Sequence, residues 1–365
     1  MKDAANNLIV ISGGGSGGPS TAPLALAVAF QNLGAPARFL FIGNAPKLEK
    51  DLFGDILQSL GADYLALPAG KWRRYFSLFN ILDFFKILSG FIQAYCLFRR
   101  LRPALIISAG SFASVPVVWA GRLCGAKILI HQQDVRPGLA NRLMRRAADR
   151  VSVAFPKSLA DYGKRAVLIG NPSLSSVSAA DQERVREKFN LVSGHPLLLV
   201  TGGGTGALAL NRLFFEALRD LPADWQIIHQ TGIGKGEGAP SRFAYQVIET
   251  LSHEDFKGLL SLADIVVSRA GLGVMTELSI LAKPCVLLPI PNSHQEDNAA
   301  YFAEKKAAIV LNQEVLKAGA LAAELRDLWV DKNRRRLLSD NIRGLLPVDA
   351  ADKGAALIQE LLKEV

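Results

Sequence analysis

"SGGGSGGPSTAP" (residues 12–23) follows the apolar run Leu8-Ile9-Val10-Ile11 and opens a small-residue segment, Leu24 to Phe30, that predicts a helix. A strand, a glycine turn and a helix N-terminus gather several backbone N–H groups around one anion. A second loop of this kind, "TGGGTG" (201–206), follows another apolar run. Outward from the two loops, short β-rich runs alternate with helical stretches. The strand candidates are 8–11, 38–42, 104–108, 127–131, 151–154, 166–169, 196–201, 226–230, 264–268, 285–289 and 307–311. Strands separated by helices argue for βαβ units and parallel sheets. The expected fold class is α/β, with two Rossmann-like domains facing across a cleft, each opened by its own glycine loop. The boundary is placed near "IGNPSL" (169–174), where Asn171-Pro172 is turn chemistry. That gives an N-terminal domain over 1–168, a C-terminal domain over 169–346, and a terminal helix in 347–365 expected to return to the first domain.

The 365 residues suffice for two separate cores, and a chain that is 50% apolar and 21% charged has globular composition. Forty-two Lys and Arg against 33 Asp and Glu leave a net charge of +9. That balance suits nucleic acid, anionic lipid or a phosphorylated substrate. The basic residues cluster with bulky apolar groups rather than forming a stripe, which argues against nucleic acid. The first glycine loop is not followed about 20 residues on by the acidic residue of a dinucleotide fingerprint, which argues against an NAD-dependent dehydrogenase. Cys96, Cys124 and Cys285 lie far apart with no C-x-x-C spacing, so they read as reduced packing residues of a cytoplasmic protein. Leu8 to Ile11 runs straight into glycines and reads as a core strand, not a signal peptide.

The segment 71–100 departs from the α/β pattern. It holds six of the 18 phenylalanines, and its narrow polar strip is centred on Asp83, Lys86, Gly90 and Gln93. Asp83 and Lys86 make it a poor membrane span. Two readings stand: a helix pair buried against the sheet, or first turns lying on a membrane surface. Trp72, Tyr75, Phe76 and Phe79 beside Arg73 and Arg74 favour the second, since aromatics seek the interface and basic groups seek anionic headgroups.

The most specific stretch is "VSRAGLGVMTELSILAKPCVLLPIPNSHQEDNAAYF" (267–302). Val267 ends a strand, Gly271 to Gly273 turn the chain, and a helix follows from Val274. The loop amides and the helix dipole then favour an anion. Glu277 lies about one turn along, placed to accept two ribose hydroxyls. Ser293, His294, Gln295 and Asn298 are neutral donors and acceptors suited to sugar hydroxyls. Arg269 reads equally as an ion-pair partner or a diphosphate contact.

These residues, with "TGGGTGALALN" (201–211), "HQTG" (229–232), "GNP" (170–172) and the first glycine loop, resemble the MurG-type N-acetylglucosaminyltransferase family across essentially the whole chain. The resemblance implies a GT-B fold and an inverting transfer of GlcNAc from UDP-GlcNAc to undecaprenyl-diphosphate-linked muramoyl peptide (lipid I to lipid II) in peptidoglycan synthesis. It implies a peripheral enzyme on the cytoplasmic face of the cell membrane, with no cofactor and no metal requirement. The sequence contains no D-x-D, so charge on the departing UDP falls to helix N-termini and hydrogen-bond donors. Carried over by position, Gly203, Gly204, Gly206, Gly271, Leu272, Gly273 and Val274 line the donor's diphosphate and sugar, and Glu277 holds the ribose. His294, Gln295 and Asn298 fall where the family reads GlcNAc, and Leu251 where backbone groups read uracil. Gly14, Gly15, Ser16, Gly17 and Gly18 face the acceptor's diphosphate.

The first half departs from the family pattern. Gly17-Gly18-Pro19 stands where the family has Gly-Gly-His, and His131-Gln132-Gln133-Asp134 stands for "HEQN". Proline has no titratable group, so the candidate general bases become Asp134 and His131. Two rival readings remain at this level: a related transferase with another lipid-linked acceptor, and a catalytically weak scaffold that binds donor or lipid.

Overall fold

The computed structural model describes residues 7–14, 18–70, 79–173 and 178–364, with backbone alone for 79–82. The chain divides into two units, Met1–Leu174 with Pro347–Val365, and Ser175–Leu346. The first break therefore comes after Leu174 and not after 168. Ile169 is part of the first unit's core, Gly170 lies against Pro347, and the Asn171 side chain bonds His131, so "IGN" packs with the first unit.

In the first unit, strands β1 (Leu8–Ser12), β2 (Arg38–Gly43), β3 (Asp63–Ala66), β4 (Leu105–Ser108), β5 (Lys127–Gln132), β6 (Arg150–Val153) and β7 (Ala166–Leu168) form one sheet in the order β3-β2-β1-β4-β5-β6-β7. All pairings are parallel. Helices α1 (Gly18–Asn32), α2 (Pro46–Ser59), α3 (Phe79–Leu101), α4 (Ser114–Leu123), α5 (Leu139–Met144) and α6 (Leu159–Tyr162) connect the strands. Alternate residues serve opposite faces. Val10, Ile106 and Ile130 pack with Phe98 and Val117 on one side, and Ile9, Ile107 and Leu129 with Leu24 and Phe30 on the other. Burial on both faces makes these strands continuous apolar runs.

The second unit has α7 (Ala179–Lys188), β8 (Leu197–Thr201), α8 (Leu208–Ala217), β9 (Gln226–Gln230), β10 (Tyr245–Ile248), α9 (His253–Leu262), β11 (Ile265–Ser268), α10 (Leu272–Ile280), β12 (Cys285–Leu287), α11 (His294–Glu304), β13 (Ile309–Val310), α12 (Ala318–Val330) and α13 (Lys332–Ile342). Its parallel sheet runs β10-β9-β8-β11-β12-β13, the 3-2-1-4-5-6 order of a Rossmann domain. The last helix, α14 (Ala350–Lys363), belongs to the first unit. Leu357, Ile358 and Leu361 join the core there, and Gly354 lets α14 close directly on Leu26.

Over its described part, the phenylalanine-rich segment is one 23-residue helix, not a helix pair. Trp72, Arg73, Arg74, Tyr75 and Phe76 lie outside the described residues, and Phe79 is the first residue of α3. The expected polar strip splits: Asp83 and Gly90 face inward, while Lys86 and Gln93 stay exposed. Asp83 is buried, and Gly90 admits the Pro68 carbonyl, because the stretch from Pro68 to Gly70 runs beneath the helix. Lys86 reaches back to Asp83 at 3.5 Å. The exposed side also carries large apolar residues: Phe84 and Phe85 are 54% and 61% exposed, with Leu88 and Ile92 beside them. Among the described residues no helix is long and apolar enough to cross a membrane.

Candidate active site

Each glycine loop sits where its sheet reverses strand order, between β1 and β4 in the first unit and between β8 and β11 in the second. Ligands of open α/β sheets bind outside the strands' carboxyl ends at this switch point. In the second unit, Gly203 (φ +82°) and Gly206 (φ +68°) adopt the left-handed conformation. The Gly203 N–H donates to Thr201 Oγ1 at 3.0 Å, and the Gly206 N–H to the Gly203 carbonyl at 2.9 Å. A Cβ on Gly206 would run into the Thr231 carbonyl, whereas Gly204 faces open space.

Across the switch point, Gly271 caps α10 with extended backbone, leaving the Leu272, Gly273 and Val274 amides at the helix start. Gln295 Nε2 lies 3.9 Å from where a Gly271 Cβ would stand, and its Oε1 accepts the Ile290 N–H at 3.1 Å. Ser293 caps α11 through the Gln295 N–H, which leaves His294 exposed in the first turn. Leu251 follows β10 just ahead of α9, on the same edge of the parallel sheet. The sequence-read donor residues are thus gathered at one edge of one sheet.

Three side chains are more specific than the sequence suggested. Arg269 is 5% exposed; its Nη1 donates to the Leu288 carbonyl at 2.8 Å, and its Nε has no partner. Among the described residues no carboxylate reaches ion-pair distance, so the ion-pair reading falls. Burial lowers its pKa, yet guanidinium stays charged, and a buried cation beside a helix N-terminus calls for an anion. Asn298 is fully buried and donates to the Ala270 carbonyl at 3.3 Å. Its amide nitrogen therefore staples the turn before α10. Glu277 is buried and faces two groups of α9, Lys257 and His253. Burial lowers the Lys257 pKa while the Glu277 charge opposes that shift.

In the first unit, Gly14 (φ +138°) turns the first loop, and the Gly13 N–H donates to the Ile42 carbonyl at 3.2 Å. Gly15, Ser16 and Gly17 lie outside the described residues; Gly18 opens α1, with Pro19 in its first turn. Glu49 is the floor of this loop. It is 2% exposed, its Oε1 accepts the Asn44 N–H at 3.3 Å, and its Oε2 accepts the Tyr64 hydroxyl at 2.6 Å. Gly43 and Gly14 pack so closely on the carboxylate that a Cβ at either would strike Glu49 or Asn44. The Tyr64 pKa is raised, first by burial and then by the Glu49 bond.

His131 is wholly buried, with Nδ1 3.0 Å from Ser152 Oγ and Nε2 3.1 Å from Asn171 Oδ1. The amide oxygen only accepts, so Nε2 carries the proton and the serine hydroxyl donates to Nδ1. Burial pushes its pKa down to about 4. It is a locked, neutral support for Asn171 and not a group presented to a substrate. Beyond it, Gln133 Nε2 donates to the Gly18 carbonyl at 3.2 Å, tying the end of β5 to the start of α1. Asp134 follows, half-buried, its carbonyl accepting from Gln132 Nε2 at 2.7 Å.

Sequence reasoning passed over Glu49, Lys257 and the turn after β4, where Ser111 (φ +79°) precedes α4 and Ser114 bonds Ser12 at 3.1 Å. "SAGSFAS" (108–114) carried the signal, as a small-residue strand-to-helix turn like the glycine loops. Glu49 looked like an ordinary first-turn helix acid.

The comparisons agree with this geometry. Residues 9–153 match the glycosyltransferase family 28 N-terminal domain, and residues 197–346 match the family 28 C-terminal domain. A relative from Lachnospira eligens, named as the UDP-N-acetylglucosamine–N-acetylmuramyl-(pentapeptide) pyrophosphoryl-undecaprenol N-acetylglucosamine transferase, is 33% identical over 96% of this chain and 98% of its own length. The crystal structure of Acinetobacter baumannii MurG superposes with a TM-score of 0.72 at 24% identity, covering 97% of this chain and 99% of that one. A UDP-GlcNAc 2-epimerase from Neisseria meningitidis does so at 0.65 and 12%, covering 98% and 100%, so this fold alone does not fix a reaction. The two family matches and the near full-length relative do fix the lineage: the chain belongs to glycosyltransferase family 28, in its MurG-type N-acetylglucosaminyltransferase branch.

Proposed function

We infer that the chain transfers N-acetylglucosamine from UDP-GlcNAc to the undecaprenyl-diphosphate-linked muramoyl peptide, by inverting displacement at the anomeric carbon. The observation that carries the reading is the unneutralised Arg269 beside the Gly271-capped start of α10, with Glu277 buried on the same helix. A diphosphate answers the cation and the free amides, and a ribose diol answers the carboxylate. Gln295 and His294, at the next strand end, are assigned to the sugar. The charge that develops on UDP is assigned to the α10 amides, Arg269 and the second glycine loop, and the transfer is read as metal-independent.

The acceptor belongs to the first unit. Its hydroxyl must lose a proton as it attacks, and with Pro19 inert and His131 locked, Asp134 is the group assigned to take it. The exposed Phe84, Phe85, Leu88 and Ile92 of α3 are assigned to an anionic membrane surface, where a lipid-linked acceptor resides. Nucleic acid has no part in this reading.

Product analysis tests both halves. With UDP-GlcNAc and a lipid I analogue in anionic vesicles, the expected product is the lipid-linked disaccharide, formed more slowly as salt screens the surface. UDP release without disaccharide, or an epimerised sugar nucleotide, would overturn the assignment. A rate indifferent to salt and to vesicle charge would remove the membrane face alone.

A further inference from the structure

After β9 the chain turns through Gly232 (φ +89°) and Gly234 (φ +67°) and meets the second glycine loop backbone to backbone. A Cβ on Gly232 would strike the Thr205 carbonyl, just as one on Gly206 would strike Thr231. Lys235 closes this interlock. Its Nζ donates to the Thr205 carbonyl at 2.6 Å and to the Gly206 carbonyl at 3.2 Å. Its own carbonyl accepts from Asn211 Nδ2 at 3.0 Å, and Asn211 Oδ1 lies 3.1 Å from the Nε2 of buried His229. Among the described residues no carboxylate reaches ion-pair distance of the ammonium. The acids closest in sequence are engaged or open to solvent: Glu249 accepts the Gly234 N–H at 2.7 Å, and Glu237 is exposed on the wall of the cavity beside Lys235.

We propose that Lys235 is a positioning residue for the leaving group, its ammonium biasing the second glycine loop toward the extra negative charge that UDP carries once the sugar departs. The proposal rests on the reading of the second unit as the donor domain. An ammonium bound to two peptide oxygens withdraws electron density from those peptides, so the Ala207 N–H becomes a stronger donor and the Gly206 N–H holds the Gly203 carbonyl, and with it the loop, more firmly. The fixed charge also acts directly through a partly desolvated site. Both effects grow with charge on the diphosphate. They favour UDP over UDP-GlcNAc, and the transition state over the bound donor.

Calorimetry with uridine, UDP and UDP-GlcNAc on Lys235→Gln, Lys235→Arg and Glu277→Ala tests the proposal. In Lys235→Gln the amide can still bond the loop but the charge is gone. UDP affinity is expected to fall about ten-fold and UDP-GlcNAc affinity by less, with uridine unchanged. The kcat falls about as far as UDP affinity does, at constant acceptor KM, and Lys235→Arg restores both. Equal weakening of all three ligands, or an unchanged UDP to UDP-GlcNAc ratio, overturns the role of Lys235. Glu277→Ala should weaken UDP by about one to two decades through loss of a charged hydrogen-bond acceptor. If it does not, the donor-domain reading fails first, and the two failures are told apart.

Discussion

The two glycine loops share a backbone design and stand on opposite charges. Behind the first lies Glu49, a buried carboxylate bonded by Tyr64 and the Asn44 amide. Behind the second lies the Lys235 ammonium, and across the switch point the unpaired Arg269. A strand–glycine–helix turn offers N–H groups in both cases, so the loop alone does not say how strongly an anion is held. The side chains beneath decide. The second unit suits a ligand that gains negative charge during the reaction. The first, with an acid as its floor, orients a ligand more than it grips one.

The units are nevertheless alike one layer deeper. His131 gives Nε2–H to Asn171 and lies 3.0 Å from the Ser152 hydroxyl; His229 gives Nε2–H to Asn211 and lies 2.9 Å from the Tyr245 hydroxyl. Each imidazole braces an asparagine that in turn holds a loop beside the switch point.

The sharpest break in the comparison concerns which unit handles the proton. Asp134→Asn should lower kcat by about 10²–10⁴-fold, the usual scale of general-base catalysis, with UDP-GlcNAc affinity unchanged. A near-normal kcat would strike Asp134 from the mechanism and leave no titrating base among the first-unit candidates. The paired histidines predict a smaller effect common to both units. Burial depresses their folded pKa values, to about 4 for His131 and about 3 for His229, against 6.5 for the free group. The unfolded chain therefore binds more protons below pH 6.5. Their stability contribution is complete above that pH and is lost as pH falls toward 4, by up to about 1.4 kcal/mol per pH unit for each histidine. Denaturant midpoints of the wild type and His131→Gln, compared between pH 7 and 4.5, should converge on acidification; parallel curves would mean that His131 is not buried neutral. The smallest effect tests the acid floor. Glu49→Gln keeps the shape and loses the charge, weakening the Tyr64 bond by about 1 kcal/mol. Acceptor KM should rise severalfold with UDP affinity unmoved, and a matching loss of UDP affinity would dissolve the distinction between the loops.

Eleven strand positions were legible as apolar runs: nine are buried strands, which need no polar alternation, and the edges β7 and β13 are apolar in sequence, Ala-Val-Leu and Ile-Val. The two that escaped, β3 and β10, are the opposite sheet edges. "DYLA" and "YQVI" are only half covered and carry mixed residues, so no run marks them. The gathering of Gly271, Gly273, Glu277 and Gln295 was legible because they fall within 267–302, one continuous β11-α10-β12-α11 run. Glu49, Lys235 and Lys257 were not, since each acts on a residue distant in sequence. The inward turn of Asp83 and Gly90 was hidden for the same reason: what they pack on is the chain around Pro68, which the helix's own periodicity does not contain.

The placement of α14 has a consequence for how the molecule is made. Leu357, Ile358 and Leu361 complete a core begun by Leu24 and Phe30, yet the whole second unit is synthesised between them. On the ribosome the second unit can finish folding while the first still lacks its closing helix, with the apolar side of α1 uncovered. The usual N-to-C order of domain maturation is thereby reversed. The half assigned to the lipid-linked acceptor becomes whole only after the half assigned to the nucleotide.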